Sequence, residues 1–597
     1  MKLTDLQKQV LCGWNTWYSE SVTTHVLLPW GFAVRLNFRK TSGDTLRNLL
    51  ISRDNTVKVD VRNFDGSYTC LHLRHGYTQI KVESAAQNDE LVLMISPMGA
   101  YDPCEQVLVE TCFLWGRNGT LTKENGVLGA ICPDGKKITL YTTSTEAEEY
   151  LPEQYLPYKI FTFDAPIVFS TYPLSVKNAY ETMKNARQRV LSEIESYGDH
   201  AESFCAMQNV LGWNTIYDPI KNRICTPVSR NWNVGQGSTL FVWDTLFASE
   251  MLASGGQKEF AYANVKALLD EAMPNGMLPN VNTRKNKSFD RSQPLVGSMT
   301  VKRIYQKYED VEFLSEVYPA LLRWNTWYTE NRMTEEGYIC CGSKLPQGYC
   351  AAAGEAVNDA FAAKCESGMD NSPIYDDIAF DKEKGLLLLA DVGQTGLYIK
   401  DCRTLMEFAE ILGRTEDIAV LQTRLSRAEN ALLTLWNEEA GIYENRDLAS
   451  GELSSRHAPT NFYCLFSQKV TAEQKRLMME KHLFNPDEFW GDYVLPAIAR
   501  SDVAYPEQIY WRGRIWAPLN AIVYEALKDA GLMWEARMLA LKSEELLLLE
   551  WRKHRHVHEN YFATDGFACD RRQSDAFYHW GALLGYIVID SEKIEGL

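Results

Sequence analysis

Short stretches dense in tryptophan, arginine, asparagine and carboxylates mark where this chain can do chemistry. They are GWNTIYD (212–218), SRNWN (229–233), FVWDTLFAS (241–249), GMLPN (276–280), CESGMDNSP (365–373), YWRGRIWAP (510–518), HENYFATDG (558–566) and FYHWGALLG (577–585). Four carboxylates in them stand out: Asp244, Glu366, Asp370 and Glu559. Such a set suits hydrolysis of a glycosidic bond. One carboxyl must stay protonated to donate to the leaving oxygen, and another must stay ionised to activate water. The residues alone leave the pair open, and Asp370 with Glu559 is one choice among several. Asp370 lies in the polar loop Ser-Gly-Met-Asp-Asn-Ser after a helix-like stretch at 351–364, and Glu559 precedes the turn at Asp565-Gly566. Aromatic residues make up 12% of the chain, with 16 Trp and 30 Tyr. Flat amphipathic rings suit sugar faces, and they equally serve as bulk in a large core.

Each stretch falls at the start or end of a segment with helical periodicity. Over 417–436, Ile418, Leu421, Leu425, Ala428, Leu432 and Leu435 repeat at three and four residues and line one helix face. Similar segments recur near 239–253, 258–271, 293–307, 311–331, 391–412, 471–482, 515–529, 534–552 and 576–590, with weaker ones near 180–196 and 458–467. Paired helices with unequal loops fit a closed ring of six helical hairpins, whose ends build a pocket. The chain from Val22 to about Phe169 has a different texture. Short Val-, Ile-, Thr- and Tyr-rich runs are broken by Asp65-Gly66, Asn118-Gly119, Asn125-Gly126 and Asp134-Gly135, which are hairpin signals. The expected architecture is multidomain: an antiparallel β-sandwich over 1–175, a linker helix over 176–200 and a helical barrel over 201–597.

Composition narrows the partners. The 597 residues carry a net charge of −17, which disfavours nucleic acid and anionic lipid and leaves a small carbohydrate as the better substrate. The longest aliphatic runs, 386–389 and 546–549, are too short to cross a bilayer, and MKLTDLQKQV carries no apolar targeting core. A cytoplasmic protein is expected, with its 14 scattered cysteines reduced and mostly buried. Cys340, Cys341, Cys350 and Cys365 match no common zinc spacing. His554, His556 and His558 alternate, so in an extended segment they project on one face, as metal ligands do and as polar strand edges more often do. No metal ligand set and no cofactor is assigned. The chain lacks a P-loop, a dinucleotide fingerprint and a GxSxG elbow, which argues against phosphoryl transfer, hydride transfer and esterase chemistry.

SRNWN, FVWDTLFAS, ESGMDNSP, YWRGRIW and HENY, in that order, resemble the catalytic domain of glycoside hydrolase family 63, which comprises processing α-glucosidases and bacterial relatives. The resemblance covers roughly residues 205–590. It implies an (α/α)6 barrel and an inverting mechanism, with Asp370 as general acid and Glu559 as general base. By the same match Trp243, Asp244, Trp511, Arg512 and Gly513 line the subsite of the non-reducing sugar. Asn280, Glu366, Trp516 and Trp580, in the same loops, complete the expected binding set. The expected activity is an exo-acting α-glucosidase on short α-glucosides or glycosyl conjugates. Alternatives are a non-hydrolytic or isomerising sugar barrel, a trehalase-like enzyme and a glycosylglycerate hydrolase. Residues 231–240 stand where trehalases carry a glycine-rich segment. Arg571, Arg572 and Lys344 are candidates to meet an anionic aglycone, and Arg512 is an alternative ion-pair partner for Glu507 or Glu366. Some relatives bind calcium, for which Asp376 and Asp377 are the available oxygen donors.

Overall fold

A computed structural model describes the chain apart from residues 1–4, 6–7, 9, 43–44, 47–56, 148–150, 152–153, 234–237, 352–353, 569–572 and 594–597. The alternating runs of the N-terminal part form strands β1 (Gly13–Asn15), β2 (Thr24–Leu28), β3 (Phe32–Lys40), β4 (Thr45–Leu46), β5 (Val57–Arg62), β6 (Tyr68–His75), β7 (Thr78–Gln87), β8 (Glu90–Pro97), β9 (Glu105–Phe113), β10 (Thr120–Glu124), β11 (Val127–Ile131), β12 (Lys137–Thr142), β13 (Tyr158–Thr162) and β14 (Ile167–Ser170). They pair antiparallel in two sheets. One runs β1-β2-β3-β9-β13 with β4 on β3, and the other runs β10-β11-β12-β14-β8-β7-β6-β5. Asp65-Gly66, Asn125-Gly126 and Asp134-Gly135 lie between paired neighbouring strands, whereas Asn118-Gly119 connects β9 to β10, which belong to different sheets. Between β10 and β11, Glu124 faces Val127, and Asn125 and Gly126 take the two positive φ values, 48° and 78°, of a tight turn.

The chain forms two compact units. One comprises Gln7–Cys225 with Arg230–Ser238, and the other comprises Thr226–Ser229 and Thr239–Leu597. The helices Val176–Glu195 and Ala201–Asn214 belong to the strand-bearing unit. Ala201–Asn214 is buried on nearly every side and packs on β5, where the Arg62 N–H donates to Asn209 Oδ1 at 2.8 Å.

In the second unit the periodic segments become helices: Val242–Ser254, Lys258–Leu269, Gly297–Tyr308, Val311–Asn331, Val392–Leu412, Thr415–Leu433, Ala517–Asp529, Met533–His554 and Leu583–Ser591. Asp310 and Asp391 cap two of them through side-chain bonds to the first turn. The segment near 458–467 is a 3₁₀ stretch, Pro459–Phe466, rather than an α-helix. Neighbours follow a cyclic order. Val242–Ser254 packs on Gly297–Tyr308, which packs on Val392–Leu412, and that helix packs on Pro459–Phe466. Ala517–Asp529 follows, then Leu583–Ser591, which returns to Val242–Ser254. Val242–Ser254, Ala517–Asp529 and Leu583–Ser591 are buried almost all round, as expected for helices covered on both sides, whereas Gly297–Tyr308 keeps a charged face. Among the described residues, no helix is long and apolar enough to cross a membrane.

Candidate active site

Asp370 is set by the loop that ends the short helix Ala360–Glu366. Asp359 caps that helix, and Ser367 turns back to donate its hydroxyl to the Lys364 carbonyl at 2.6 Å. Gly368 follows at φ +76°, with the indole of Trp243 so close that a Cβ would lie 2.5 Å from its ring. Only glycine meets both demands. Asn371 then ties this loop to the next one. Its Oδ1 accepts the Trp511 N–H at 3.0 Å, and its Nδ2 donates to the Ile509 carbonyl at 3.3 Å.

Glu559 sits on an irregular extended segment. Tyr561 exchanges two backbone hydrogen bonds with Ile515, and Val557 and Tyr578 join on the other side. The carboxylate accepts the Tyr510 hydroxyl at 3.0 Å on Oε1 and the Asp575 N–H at 3.2 Å on Oε2. Trp580 Nε1 donates to the Glu559 carbonyl at 2.8 Å, fixing the backbone beneath it. Asp244, in the first turn of Val242–Ser254, accepts the Tyr578 hydroxyl at 2.8 Å.

Four indoles gather in this region. Trp511 and Trp516 stack at 3.6 Å and 9°, Trp243 lies 6.3 Å from Trp511, and Trp580 stands edge-on to Trp243 at 5.7 Å. Trp516, fully buried like Trp511, donates to the Tyr510 carbonyl at 3.1 Å.

All three carboxyls hold their protons more tightly than usual. Burial raises Asp370 to about 6, against the opposing charge of Arg291 and its own backbone N–H. Burial raises Glu559 to about 8, helped by the Asp575 and Asp244 charges and opposed by its two hydrogen-bond donors. Asp244 rises to about 7 through burial, with Asp370 adding to the shift. The Tyr510 phenol, itself driven upward first by burial, feels Glu559, Asp370 and Asp244 together. A carboxyl that keeps its proton near neutral pH can act as an acid, and an ionised one can act as a base.

Several members of the expected binding set have their polar groups committed elsewhere. Glu366 is fully buried, and both its oxygens are taken. Arg332 binds it twice, at 2.5 and 3.0 Å, and the N–H groups of Ser292 and Gly342 donate at 2.7 and 2.6 Å. No oxygen is left for a sugar. Arg512 pairs with Glu507 through Nε at 2.6 Å and with Asp376 through Nη1 at 2.9 Å, so it is a loop clamp. Gly513, at φ +101°, leaves room for the Tyr505 carbonyl, which stands too near to admit any Cβ. Asp376 lies between Arg512 and Arg456, an arrangement that satisfies its charge without calcium. Asn280 donates to the Cys365 carbonyl at 3.1 Å, while its Oδ1 is buried with no hydrogen-bond partner among the described residues.

Lys344 donates to the Glu383 carbonyl, and Arg571 and Arg572 lie outside the described residues. Among the described residues, Cys340, Cys341, Cys350 and Cys365 do not converge as a metal group, whereas Glu550, His556 and His558 do. Tyr510, Asp575, Tyr578 and Arg291 surround the carboxyls without having been singled out in the sequence. Tyr510 and Tyr578 carried a signal, as members of YWRGRIWAP and FYHWGALLG.

A family model described as the mannosylglycerate hydrolase MGH1-like glycoside hydrolase domain matches residues 238–580. The chain is 30% identical over 174 residues to a mannosylglycerate hydrolase of Thermus thermophilus, covering 29% of this chain and 40% of that protein. It is 23% identical over 378 residues to mannosylglycerate hydrolase MGH1 of Selaginella moellendorffii, covering 51% of this chain and 72% of that one. A crystal structure of an uncharacterized conserved protein from Thermus thermophilus superposes with a TM-score of 0.52 at 20% identity, over 64% of this chain and 99% of that one, a likeness of fold. The family match spans more than half of the chain, and all the carboxyls and indoles just described fall within it; the chain belongs to the mannosylglycerate hydrolase MGH1-like glycoside hydrolases, relatives of glycoside hydrolase family 63.

Proposed function

We propose that this chain is an inverting, exo-acting α-glycosidase on short α-hexosides of the glucosyl- or mannosyl-conjugate kind, with Asp370 as general acid and Glu559 as general base. The observation that carries this reading is a pair of carboxyls, the half-buried Asp370 and the buried Glu559, whose Oε1 accepts the Tyr510 hydroxyl, in a region where four indoles gather. The cyclic order of helices supports an (α/α)6 barrel beneath the site, and the two N-terminal sheets support a sandwich. In the reaction Asp370 gives its proton to the leaving oxygen as the C1–O bond breaks. Glu559 takes a proton from a water whose oxygen bonds to C1 from the opposite face, so the first product is the β-anomer. Glu559 suits the base role because each of its oxygens already accepts a hydrogen bond, a setting that favours the carboxylate. Trp243 and Trp511 offer faces for the sugar, and Asn280 Oδ1 offers an acceptor for a hydroxyl.

One observation favours exchanged roles. In the unliganded site Glu559 holds its proton more tightly than Asp370, about 8 against about 6. A bound water donating to Glu559 lowers its proton affinity, and a leaving oxygen accepting from Asp370 favours the protonated acid, so ligand binding works to reverse that order. Leaving-group dependence separates the two assignments. Asp370→Asn should slow an alkyl or glyceryl α-hexoside far more than the nitrophenyl glycoside, because only the poor leaving group needs protonation. Glu559→Gln should slow both alike. The opposite pattern transfers the acid role to Glu559, and an α-anomer appearing first by proton NMR removes the inverting mechanism.

A further inference from the structure

At the end of the helix Met533–His554 three buried side chains converge without serving the carboxyl chemistry. The donor atoms of Glu550, His556 and His558 all lie within 4.8 Å of one another, and the three residues are 0%, 7% and 1% exposed. We propose that Glu550, His556 and His558 bind a transition-metal dication of the zinc class, which fixes the segment carrying Glu559.

The hydrogen bonds around His558 select the tautomer a metal needs. The Ser574 hydroxyl donates to the Asn560 carbonyl at 2.7 Å. Its oxygen, 3.4 Å from His558 Nδ1, is therefore left to accept, which places the ring hydrogen on Nδ1. His558 Nε2 then carries a lone pair, is buried, and has no hydrogen-bond partner among the described residues. It faces Glu550 Oε2 at 3.9 Å, too far for a hydrogen bond. Glu550 is oriented by its other oxygen, which accepts the Ala568 N–H at 3.0 Å.

The His558 Nε2 lone pair and Glu550 Oε2 face each other across 3.9 Å in a buried site, an arrangement that a metal ion bridges. A metal ion fits. Bonds of about 2.0–2.2 Å in a tetrahedron set donors about 3.4 Å apart, so the 3.9 Å gap closes with a shift of a few tenths of an ångström. Two imidazoles and a carboxylate, with no thiolate, match zinc-type chemistry. His554, whose Nε2 lies 4.0 Å from Glu550 Oε2, is placed to complete the set.

The other converging groups are held by charge instead. His457 is raised to about 9 by hydrogen bonds to Glu444 and Glu488, against burial, so it stays protonated beside His482. Asp60, beside Cys70 and His72, is paired with Arg187. The site at Glu550 thus differs from both, and it is independent of which carboxyl acts as the acid.

The test uses the full chain, stripped by a strong chelator and then titrated with Zn2+ or Co2+. About one equivalent of zinc per chain should bind, raise the thermal midpoint and survive gel filtration. Co2+ should give the visible d–d bands of a four-coordinate nitrogen–oxygen site. Glu550→Gln and His556→Asn should abolish those bands, and His72→Gln should leave them unchanged. Absence of both the thermal shift and the d–d bands in the wild-type chain overturns the site, whatever the variants do. Unchanged bands in both ligand variants, or loss in His72→Gln instead, overturn the assignment to these residues.

Discussion

Glu366 lies four residues before Asp370, and Arg332 decides what it does. Replacing Arg332 by Met keeps most of the side-chain volume and removes two of the four hydrogen bonds to a fully buried carboxylate. Charge-assisted bonds contribute about 1.5–3 kcal/mol each, which gives about 3–6 kcal/mol for the two. Breaking a buried ion pair from one side costs about 3–5 kcal/mol by an independent measure, so the two figures agree. The guanidinium also lies 4.6 Å over the Trp327 ring and donates to the Asp290 carbonyl at 3.2 Å, and neither contact survives in the variant. With a urea slope of about 3–4 kcal/mol per molar for a unit of this size, the midpoint should fall by about 1 M. Glu366→Gln should cost less, because it retains one acceptor. The double variant should cost less than the sum, with a coupling of about 2 kcal/mol. In turnover assays Arg332→Met should lower kcat through displacement of the loop that carries Asp370, with KM nearly unchanged. A variant of wild-type urea stability whose only defect is a raised KM would refute this reasoning and return Glu366 to the substrate.

Three further outcomes follow from the same geometry. Gly368→Ala forces a Cβ to 2.5 Å from the Trp243 ring at φ +76°, so strain of about 1–2 kcal/mol and overpacking of about 1–3 kcal/mol should combine; a smaller than tenfold loss of kcat/KM with unchanged thermal stability would show that the contact yields freely. Tyr510→Phe removes the donor to Glu559 Oε1, so the carboxylate loses support and the limb of the kcat/KM profile set by Glu559, the upper one in the free chain, should move up by about 1 pH unit; an unmoved limb would detach Tyr510 from the titrating base. Asp244, Asp370 and Glu559 hold protons in the folded chain, at about 7, 6 and 8, that the unfolded chain releases near 4. Their contribution is complete below pH ~4 and is lost as pH rises through about 8, so Glu559→Gln should raise the thermal midpoint at pH 8.5 relative to wild type and change it little at pH 4.5.

What could be read in the sequence was local, and what could not was long-range. Hairpin dipeptides and apolar periodicity act over a few residues, so Asn125-Gly126 and the repeat through Leu421, Leu425 and Leu432 already carried their structural meaning. Carboxylates of one type in neighbouring loops looked alike, because their roles depend on partners far along the chain. Glu366 is claimed by an arginine 34 residues upstream, whereas Glu559 meets a tyrosine 49 residues upstream and an amide 16 residues downstream. Neither separation has a periodic signature. Arg512 and Gly513 drew notice for the right composition, yet Glu507 and Tyr505 in the same loop account for them.

The histidines before Glu559 show how a local pattern becomes a site only through backbone geometry. Their spacing of two was visible and, alone, described a strand edge. Glu550 belongs to the preceding helix, where a spacing of four places it over His554 and not over His556 or His558. Arg555 ends that helix in the left-handed region, at φ +59°, and its N–H returns to the Trp551 carbonyl. That single cap reverses the chain direction, so residues six and eight positions beyond Glu550 fold back onto its carboxylate. No periodicity, helical or extended, predicts such a set. An arginine in place of the usual glycine at a left-handed cap costs about 1 kcal/mol. Coordination across the cap, between Glu550 on one side and His556 and His558 on the other, offsets that cost and holds Glu559 one residue beyond the last ligand.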